Sequence, residues 1–194
     1  PQVIMAAAQH VDGWGDRAAA SGCADAHFVQ AGVGSFAGMV QGMVTAAWGE
    51  NRPKVIVAEA LIADASTAQP FEEGDAIAVG GDLQTVMAGL ACGEANSVGW
   101  ELLRDYANAF ASCPDEVAAL GMRMLGNPWQ GDPQIISGES GAVTTGLLAL
   151  LMTRLLAQTR EQLGLDAHSR VLLVSTEGDT DRNNIWILSG GGQY

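Results

Sequence analysis

Short apolar runs rich in β-branched residues, each separated by longer helical segments, most constrain the fold of this 194-residue chain. The clearest runs are HFVQ at 27–30, PKVIVAEA at 53–60 and RVLLVST at 170–176, and AIAV at 76–79 is a shorter candidate. Continuously apolar strands that alternate with helices are typical of parallel sheets buried on both faces. The sequence therefore predicts one α/β domain over residues 1–194, a three-layer parallel sheet with helices on both faces.

Helical patterning predicts five helices. They are expected at 4–20, at 35–48, twice within 97–125, and from the turn SGESGA (137–142) to about Leu163. We place the break within 97–125 at Cys113-Pro114, because proline suits the first turn of a helix. The apolar run at 142–152 ends well short of the roughly 20 residues of a membrane span, so we interpret it as a buried helix.

The net charge of −13 disfavours nucleic acid and anionic membrane surfaces as partners, since both attract basic patches. A local group of backbone amides can still hold a small anion. The first residues show no basic segment followed by an apolar one, so we expect no signal peptide and a cytoplasmic location.

The three cysteines, Cys23, Cys92 and Cys113, are widely spaced and show no metal-ligand pattern. Their odd number favours a reducing compartment. Cys92 and Cys113 could pair, but small buried hydrophobic residues are the preferred interpretation. His10, His27 and His168 are scattered, and we interpret them as surface or packing residues.

The turn AGVGS at 31–35 lies between a predicted strand and a predicted helix. Its glycines would let backbone amides at the helix N-terminus approach an anion closely. Residues 32–37 also match the GxGxxG/A pattern of dinucleotide-binding proteins, and Glu59 ends the next strand, where such proteins place the ribose-binding acid. A third explanation is that glycine only permits close packing of helix on strand.

Five segments, in order, resemble diaminopropionate ammonia-lyase, a pyridoxal-phosphate-dependent family of fold type II. They are HFVQAGVGSFAGM, GGDLQTVMAGLACGE, AALGMRMLGNP, IISGESGAV and VLLVSTEGDTD, and the resemblance runs from about residue 27 to 181. Members of that family convert 2,3-diaminopropionate to pyruvate and ammonia. The resemblance therefore implies a β-elimination on a small amino acid with pyridoxal 5'-phosphate as cofactor.

The resemblance also implies a cofactor site. The cofactor phosphate would be held by the backbones of Gly32, Val33, Gly34, Ser35 and Phe36, in agreement with the anion site. TVMAGLA at 85–91 resembles a segment that lines the cofactor ring, with Ala88 and Gly89 as neighbours, although a helix packed by small residues is an equal alternative.

Ser175, in STEGDTD, matches the residue whose hydroxyl faces the pyridine nitrogen in relatives. A hydroxyl there would leave that nitrogen largely unprotonated, which suits elimination over transamination. The alternative is a helix N-cap or turn residue. The later Asp179 and Asp181 are more simply solvated turn residues.

SGESGA places Ser137, Glu139 and Ser140 at the start of the last helix. The Glu139 carboxylate could face the ring or the second substrate amine, or it could cap the helix. We leave both interpretations open for this auxiliary residue.

A Schiff-base lysine is expected in a pyridoxal phosphate enzyme, but Lys54 is the one lysine of this chain. It is predicted at the amino end of a strand, opposite the glycine turn. In the family, the Schiff-base lysine lies N-terminal to the matched part. We therefore expect a C-terminal half of such a lyase, inactive alone, that forms a homodimer or joins a complementing N-terminal half. A nicotinamide-binding domain that uses Glu59 and a non-catalytic ligand-binding module are the alternatives.

Overall fold

The computed structural model describes residues 2–7, 24–63, 80 and 82–178. Its strands are β1 (Gln2–Ala7), β2 (Ala26–Ala31), β3 (Lys54–Ala60), β4 (Ala109–Cys113) and β5 (Arg170–Ser175). They form one parallel sheet in the order β1-β5-β2-β3-β4. The helices are α1 (Ser35–Trp48), α2 (Ser97–Tyr106), α3 (Asp115–Gly126), α4 (Glu139–Leu151) and α5 (Ala157–Gln162).

Two apolar clusters pack on opposite faces of this sheet. Alternate residues of β2 divide between them: Phe28 packs in the cluster that contains Val143 of α4, and Val29 packs in the cluster that contains Val40 and Val44 of α1. This alternation follows from the period of two along a strand. The predicted three-layer α/β architecture is therefore confirmed.

The three longer predicted strands are confirmed, and AIAV at 76–79 lies outside the described residues. The helix predicted over 4–20 is wrong at its start, because Gln2–Ala7 is the edge strand β1, paired with β5. The rest of that segment lies outside the described residues. The pairing partner of β1 is more than 160 positions away, as in Ile4 with Leu172, so local patterning carried no sign of it.

The two helices predicted within 97–125 are separated by a strand that the sequence did not reveal. Helix α2 ends at Tyr106, and β4 then pairs with β3 before α3 begins. The strand sequence, AFASC, is short and contains small residues with little β-propensity. Pro114 does mark the start of α3, as predicted.

The last predicted helix is shorter than expected. Helix α4 ends at Leu151, and α5 is a separate helix over Ala157–Gln162. Neither glycine nor proline occurs between them, so the usual signal of a break is missing. Within the described ranges, no helix is long and apolar enough to cross a membrane.

Glycines allow unusually close contact between neighbouring helices. A Cβ atom on Gly146 of α4 would overlap the carbonyl oxygen of Val117 of α3, and one on Gly121 would overlap the carbonyl oxygen of Ala142. On the other face, a Cβ on Gly38 of α1 would lie 2.5 Å from the Cα of Gly99 in α2. These contacts fix how α4 and α1, which begin at the carboxyl edge of the sheet, lie on its two faces.

Candidate functional site

The strand order changes direction between β2 and β5. From β2 the chain proceeds outward to β3 and β4, and it returns to β5 on the other side of β2. In parallel sheets, the crevice outside the carboxyl ends of two such strands is the usual ligand site. The turn after β2 and the turn after β5 are therefore the natural walls of a site.

The turn after β2 has the geometry of an anion site. Gly34, the N-cap residue of α1, has a left-handed backbone conformation with φ of 82°. Because glycine has no side chain, the N-terminus of α1 has no side-chain cap at this position. A residue with a Cβ is strained at that φ, so glycine is required. The first amides of α1 have no partner within the helix, and they carry the positive end of its dipole. The anion site predicted at residues 32–36 is consistent with this turn.

A second segment lies directly on this turn. A Cβ on Gly32 would be 2.9 Å from the carbonyl oxygen of Gly89. Gly89 belongs to a one-turn 3-10 helix, Ala88–Leu90, and it is closely packed, so the alternative of a helix packed by small residues stays open. The carboxylate of Asp115, in the first turn of α3, accepts hydrogen bonds from the Thr85 hydroxyl and from the Val86 amide, the latter at 3.1 Å. The segment is therefore anchored to α3 just before it reaches the site.

Ser175 ends β5 and joins the start of α4. Its hydroxyl oxygen lies 2.9 Å from that of the buried Ser137, and it donates to the carbonyl oxygen of Glu177 at 3.1 Å. Ser175 is thus held at the edge of the crevice rather than at a helix N-cap.

The carboxylate that caps α4 comes from Glu177, which sequence analysis did not single out. Oε2 of Glu177 accepts the backbone amide of Ser140 at 2.9 Å. The sequence suggested Glu139 as one candidate for this role, but Glu139 is the half-buried first residue of α4. The available signal was the acidic turn after β5 together with a helix whose N-cap residue, Gly138, has no side chain to cap it.

Gln30 links the two strands where their backbone pairing has ended. The β2–β5 ladder covers Ala26 to Phe28, and beyond it Nε2 of Gln30 donates to the carbonyl of Val174 at 3.1 Å and to the hydroxyl of Thr176 at 2.7 Å. The strands therefore separate toward the crevice while a buried amide keeps them in register. Sequence analysis missed this residue, since a glutamine at the end of an apolar run has no distinctive pattern.

Lys54 lies at the other end of the sheet, as expected. It pairs with Ala26, at the start of β2, and five residues of strand separate that position from the glycine turn, a distance of about 16 Å. Its Nζ donates to the carbonyl oxygen of Leu163 at 2.7 Å, after α5. It is therefore not placed to reach a ligand at the carboxyl edge.

Glu59 is only 1% exposed, in register with Ala31 and Ser112 of the neighbouring strands. A ribose hydroxyl could not approach a carboxylate in that position. The dinucleotide interpretation therefore loses the residue on which it depended.

The described histidines and cysteines that the sequence analysis named differ in burial. His27 is fully buried, and burial lowers its pKa to about 4. His168 is exposed, whereas His10, Cys23, Asp179 and Asp181 lie outside the described residues. Cys92 and Cys113 are both free, so the possible disulfide is not formed. The described residues contain no group of His, Cys, Asp or Glu arranged to hold a metal ion.

Solved structures of other proteins have a fold similar to that of this chain. A diaminopropionate ammonia-lyase from Escherichia coli, in complex with an aminoacrylate-PLP azomethine reaction intermediate, superposes with a TM-score of 0.80 and 41% identity, covering 92% of this chain and 45% of that one. The processed form of threonine deaminase isoform 2 from Solanum lycopersicum shares the fold at a TM-score of 0.70 and 14% identity, over 91% of this chain and 48% of that one. The fold is that of the fold type II pyridoxal-phosphate enzymes.

Sequence comparison identifies a narrower group of relatives than the fold does. The chain is 48% identical over 163 residues to the diaminopropionate ammonia-lyase of Escherichia coli K12, and 46% identical over 155 residues to that of Salmonella typhimurium LT2. Over these residues the chain is a homologue of the diaminopropionate ammonia-lyases. The matches cover 81% and 78% of this chain but only 41% and 38% of the relatives. No protein-family model matches the chain.

Proposed function

We propose that this chain is the cofactor-holding part of a pyridoxal-phosphate-dependent diaminopropionate ammonia-lyase, whose reaction is α,β-elimination on 2,3-diaminopropionate to give pyruvate and ammonia. The observation that carries the proposal is that a glycine turn at an uncapped helix N-terminus and the hydroxyl of Ser175 lie at the carboxyl ends of the neighbouring parallel strands β2 and β5. When bound, pyridoxal phosphate supplies an electron sink for the charge left at the α-carbon when its proton leaves.

The glycine turn would hold the cofactor phosphate. Its donors are backbone amides at the positive end of α1, contributed by Gly32, Val33, Gly34, Ser35 and Phe36. Two features of the turn support this fit. Gly34 has the left-handed φ that turns the chain into α1, and Gly32 has no room for a side chain beside Gly89.

Ser175 and Gly89 would contact the cofactor ring. The Ser175 hydroxyl would face the ring nitrogen, and the small Gly89 would leave space for the ring beside the glycine turn. A neutral hydroxyl stabilises the positive charge of a protonated ring nitrogen less than a carboxylate does. The ring nitrogen would therefore stay unprotonated, which favours elimination.

The rest of the enzyme would supply the base. Lys54 is bonded to the Leu163 carbonyl at the far edge of the sheet, so the chain offers no lysine to the crevice. We expect the isolated chain to have no lyase activity. A coupled pyruvate assay with 2,3-diaminopropionate tests this, and turnover without an added partner would contradict it.

Three exposed apolar side chains are candidate contacts for a further protein surface. Val98, Trp129 and Leu155 are 67%, 80% and 86% exposed. We propose that the chain forms a cytoplasmic homodimer or joins a complementing N-terminal half. Light scattering is the direct test of the first possibility, and a monodisperse monomer would contradict it.

Cofactor binding can be tested by fluorescence titration with pyridoxal phosphate, pyridoxal and NAD. We expect saturable binding of pyridoxal phosphate, with pyridoxal at least tenfold weaker, roughly the loss of one charge-assisted hydrogen bond. Gly34→Ala should abolish that preference for the phosphate, because a side chain at this φ distorts the amide turn. Equal affinity for pyridoxal and its phosphate, or binding of NAD alone, would refute the proposal.

The second candidate is a module that binds a phosphate ligand without catalysis. The observation that favours it is the absence of lysine from the crevice, since Lys54 is engaged elsewhere. Addition of the N-terminal part of a related lyase separates the two candidates, because restored pyruvate formation would support the lyase.

A further inference from the structure

We propose that Glu177 is a positioning residue that joins the Ser175 hydroxyl, the first turn of α4 and the Gly89 turn into one rigid wall of the crevice. The inference rests on the proposed cofactor function, because Ser175 and Gly89 are its proposed ring contacts. It assigns a role to a residue that would not itself touch the reacting atoms.

The backbone of Glu177 forms the first connection. Its carbonyl oxygen accepts the Ser175 hydroxyl at 3.1 Å and the amide of Gly138 at 3.3 Å. One oxygen therefore ties the end of β5 to the residue that precedes α4.

The side chain of Glu177 forms the second connection. Oε2 accepts the amide of Ser140 at 2.9 Å, in the first turn of α4. This turn is otherwise without a cap from Gly138, and a carboxylate is favoured at the positive end of a helix dipole. The two connections together prevent rotation of the 175–177 turn relative to α4.

Glycines provide the space that Glu177 occupies. A Cβ on Gly138 would lie 2.7 Å from Oε2 of Glu177, and a Cβ on Gly89 would lie 3.1 Å from its Oε1 and 3.0 Å from the Ser140 hydroxyl. The carboxylate therefore fits between α4 and the Gly89 turn, and it determines how closely they approach. Sequence alone could not show that these glycines share one neighbour.

This arrangement controls the single proton of the Ser175 hydroxyl. A hydroxyl donates once, and both the Glu177 carbonyl oxygen and the Ser137 hydroxyl oxygen lie within reach of this proton. A ring nitrogen beside Ser175 would compete with that carbonyl for the same proton. The Glu177 carboxylate, which accepts the Ser140 amide, holds the Glu177 carbonyl in place. The position of that carbonyl would thus decide whether Ser175 offers a proton or a lone pair to a ligand.

Three variants test the role of Glu177. Glu177→Ala removes the carboxylate, Glu177→Asp keeps the charge but shortens the reach to Ser140, and Glu177→Gln keeps an oxygen acceptor at the same reach. Glu101→Gln, at an exposed position of α2, is the matched control. Each protein is examined by peptide-level hydrogen exchange and by the absorbance of bound pyridoxal phosphate as a function of pH.

We expect hydrogen exchange in 85–91 and 137–141 to accelerate about tenfold in Glu177→Ala and Glu177→Asp, as for loss of a hydrogen bond to a charged group. The pH dependence of the bound-cofactor absorbance should change in the same two variants. Glu177→Gln should fall between the wild type and Glu177→Ala, since its amide oxygen can accept the Ser140 amide but carries no charge at the positive end of the helix dipole.

Unchanged exchange in Glu177→Asp would overturn the inference, and this variant decides if Glu177→Ala does not fold. A lower melting temperature with an unchanged absorbance profile would reduce Glu177 to a purely structural residue and would also overturn it. Absence of pyridoxal phosphate binding by the wild type would refute the proposed function instead, while hydrogen exchange would still decide whether Glu177 holds the wall together.

Discussion

The hydroxyl oxygen of Ser137 lies 2.9 Å from the hydroxyl oxygen of Ser175, although 38 positions separate the two residues. The contact joins the start of α4 to the end of β5. It places a buried residue of the segment that leads into α4 within hydrogen-bond distance of the hydroxyl that we assign to the cofactor ring, so the start of α4 helps to orient Ser175.

Substitution Ser137→Ala should lower the free energy of unfolding by about 1 kcal/mol, because it removes one hydrogen bond from a buried hydroxyl pair. Urea denaturation followed by tryptophan fluorescence measures the change. Ser97→Ala, at the exposed start of α2, is the control and should have little effect. Equal stability of the two variants would mean that the serine pair contributes nothing to folding.

Substitution Gly146→Ala should destabilise the fold by about 2–3 kcal/mol, because the added methyl overlaps the Val117 carbonyl and forces α3 and α4 apart. Thermal and urea unfolding report the loss. Gly80→Ala makes the same chemical change at a position where, among the described residues other than its chain neighbours, no atom lies within 4 Å of the added Cβ, and it should stay within about 0.5 kcal/mol of the wild type. A wild-type stability for Gly146→Ala would show that the helices separate without cost.

His27 should make the protein less stable at acid pH. Burial lowers its folded-state pKa from 6.5 to about 4, so the unfolded chain binds a proton first as the pH falls. Its stabilising effect is complete above pH 6.5 and is lost between pH 6.5 and 4, by up to about 3 kcal/mol. Urea denaturation between about pH 7 and 4 measures the loss.

The matched variants for this pH effect are His27→Leu and His168→Leu. The first should flatten the pH dependence in this range, whereas the second alters an exposed histidine and should not. A wild-type pH dependence in His27→Leu would assign the acid sensitivity to other groups.

Cys113 should be inert in the native protein. Burial, reinforced by the negative charge of Glu59, raises the pKa of its thiol to about 12, and the thiolate is the reactive form. Iodoacetamide at about pH 8 should modify the half-exposed Cys92 and leave Cys113 unmodified until the chain is unfolded. Peptide mapping by mass spectrometry distinguishes the two sites, and rapid native labelling of Cys113 would contradict the structure.

Borohydride reduction with stoichiometric pyridoxal phosphate should trap no stoichiometric adduct on Lys54, because its exposed amine lies at the amino edge of the sheet, away from the proposed cofactor site. Intact-mass measurement tests this directly. Lys54→Met should keep the wild-type affinity for pyridoxal phosphate, and a weaker affinity would place this lysine in the cofactor site.

Local patterning was sufficient for the main strands and for the glycine turn. The continuous β-branched residues of β3 and the apolar run of β5 encode buried strands wherever the chain places them. Gly34 was a recognisable turn residue, because glycine has no Cβ and therefore permits the left-handed φ that precedes α1. The resemblance to a family then indicated which ligand such a turn suits.

Local patterning failed where distant contacts determined the conformation. Strand β4 contains small residues and exists because β3 offers it an edge, and β1 likewise depends on β5. The break between α4 and α5 has no glycine or proline to announce it. Local preference therefore mispredicted these segments.

The sequence by itself determined the α/β class, the principal strands and the glycine turn before α1, because these follow from side-chain shape and backbone freedom within a few residues. Only the tertiary structure decided which groups form the site. Gln30 reaches Thr176 across 146 positions, and Glu177 reaches Ser140 across 37. Contacts over such distances arise from strand order and helix packing, which no local pattern specifies.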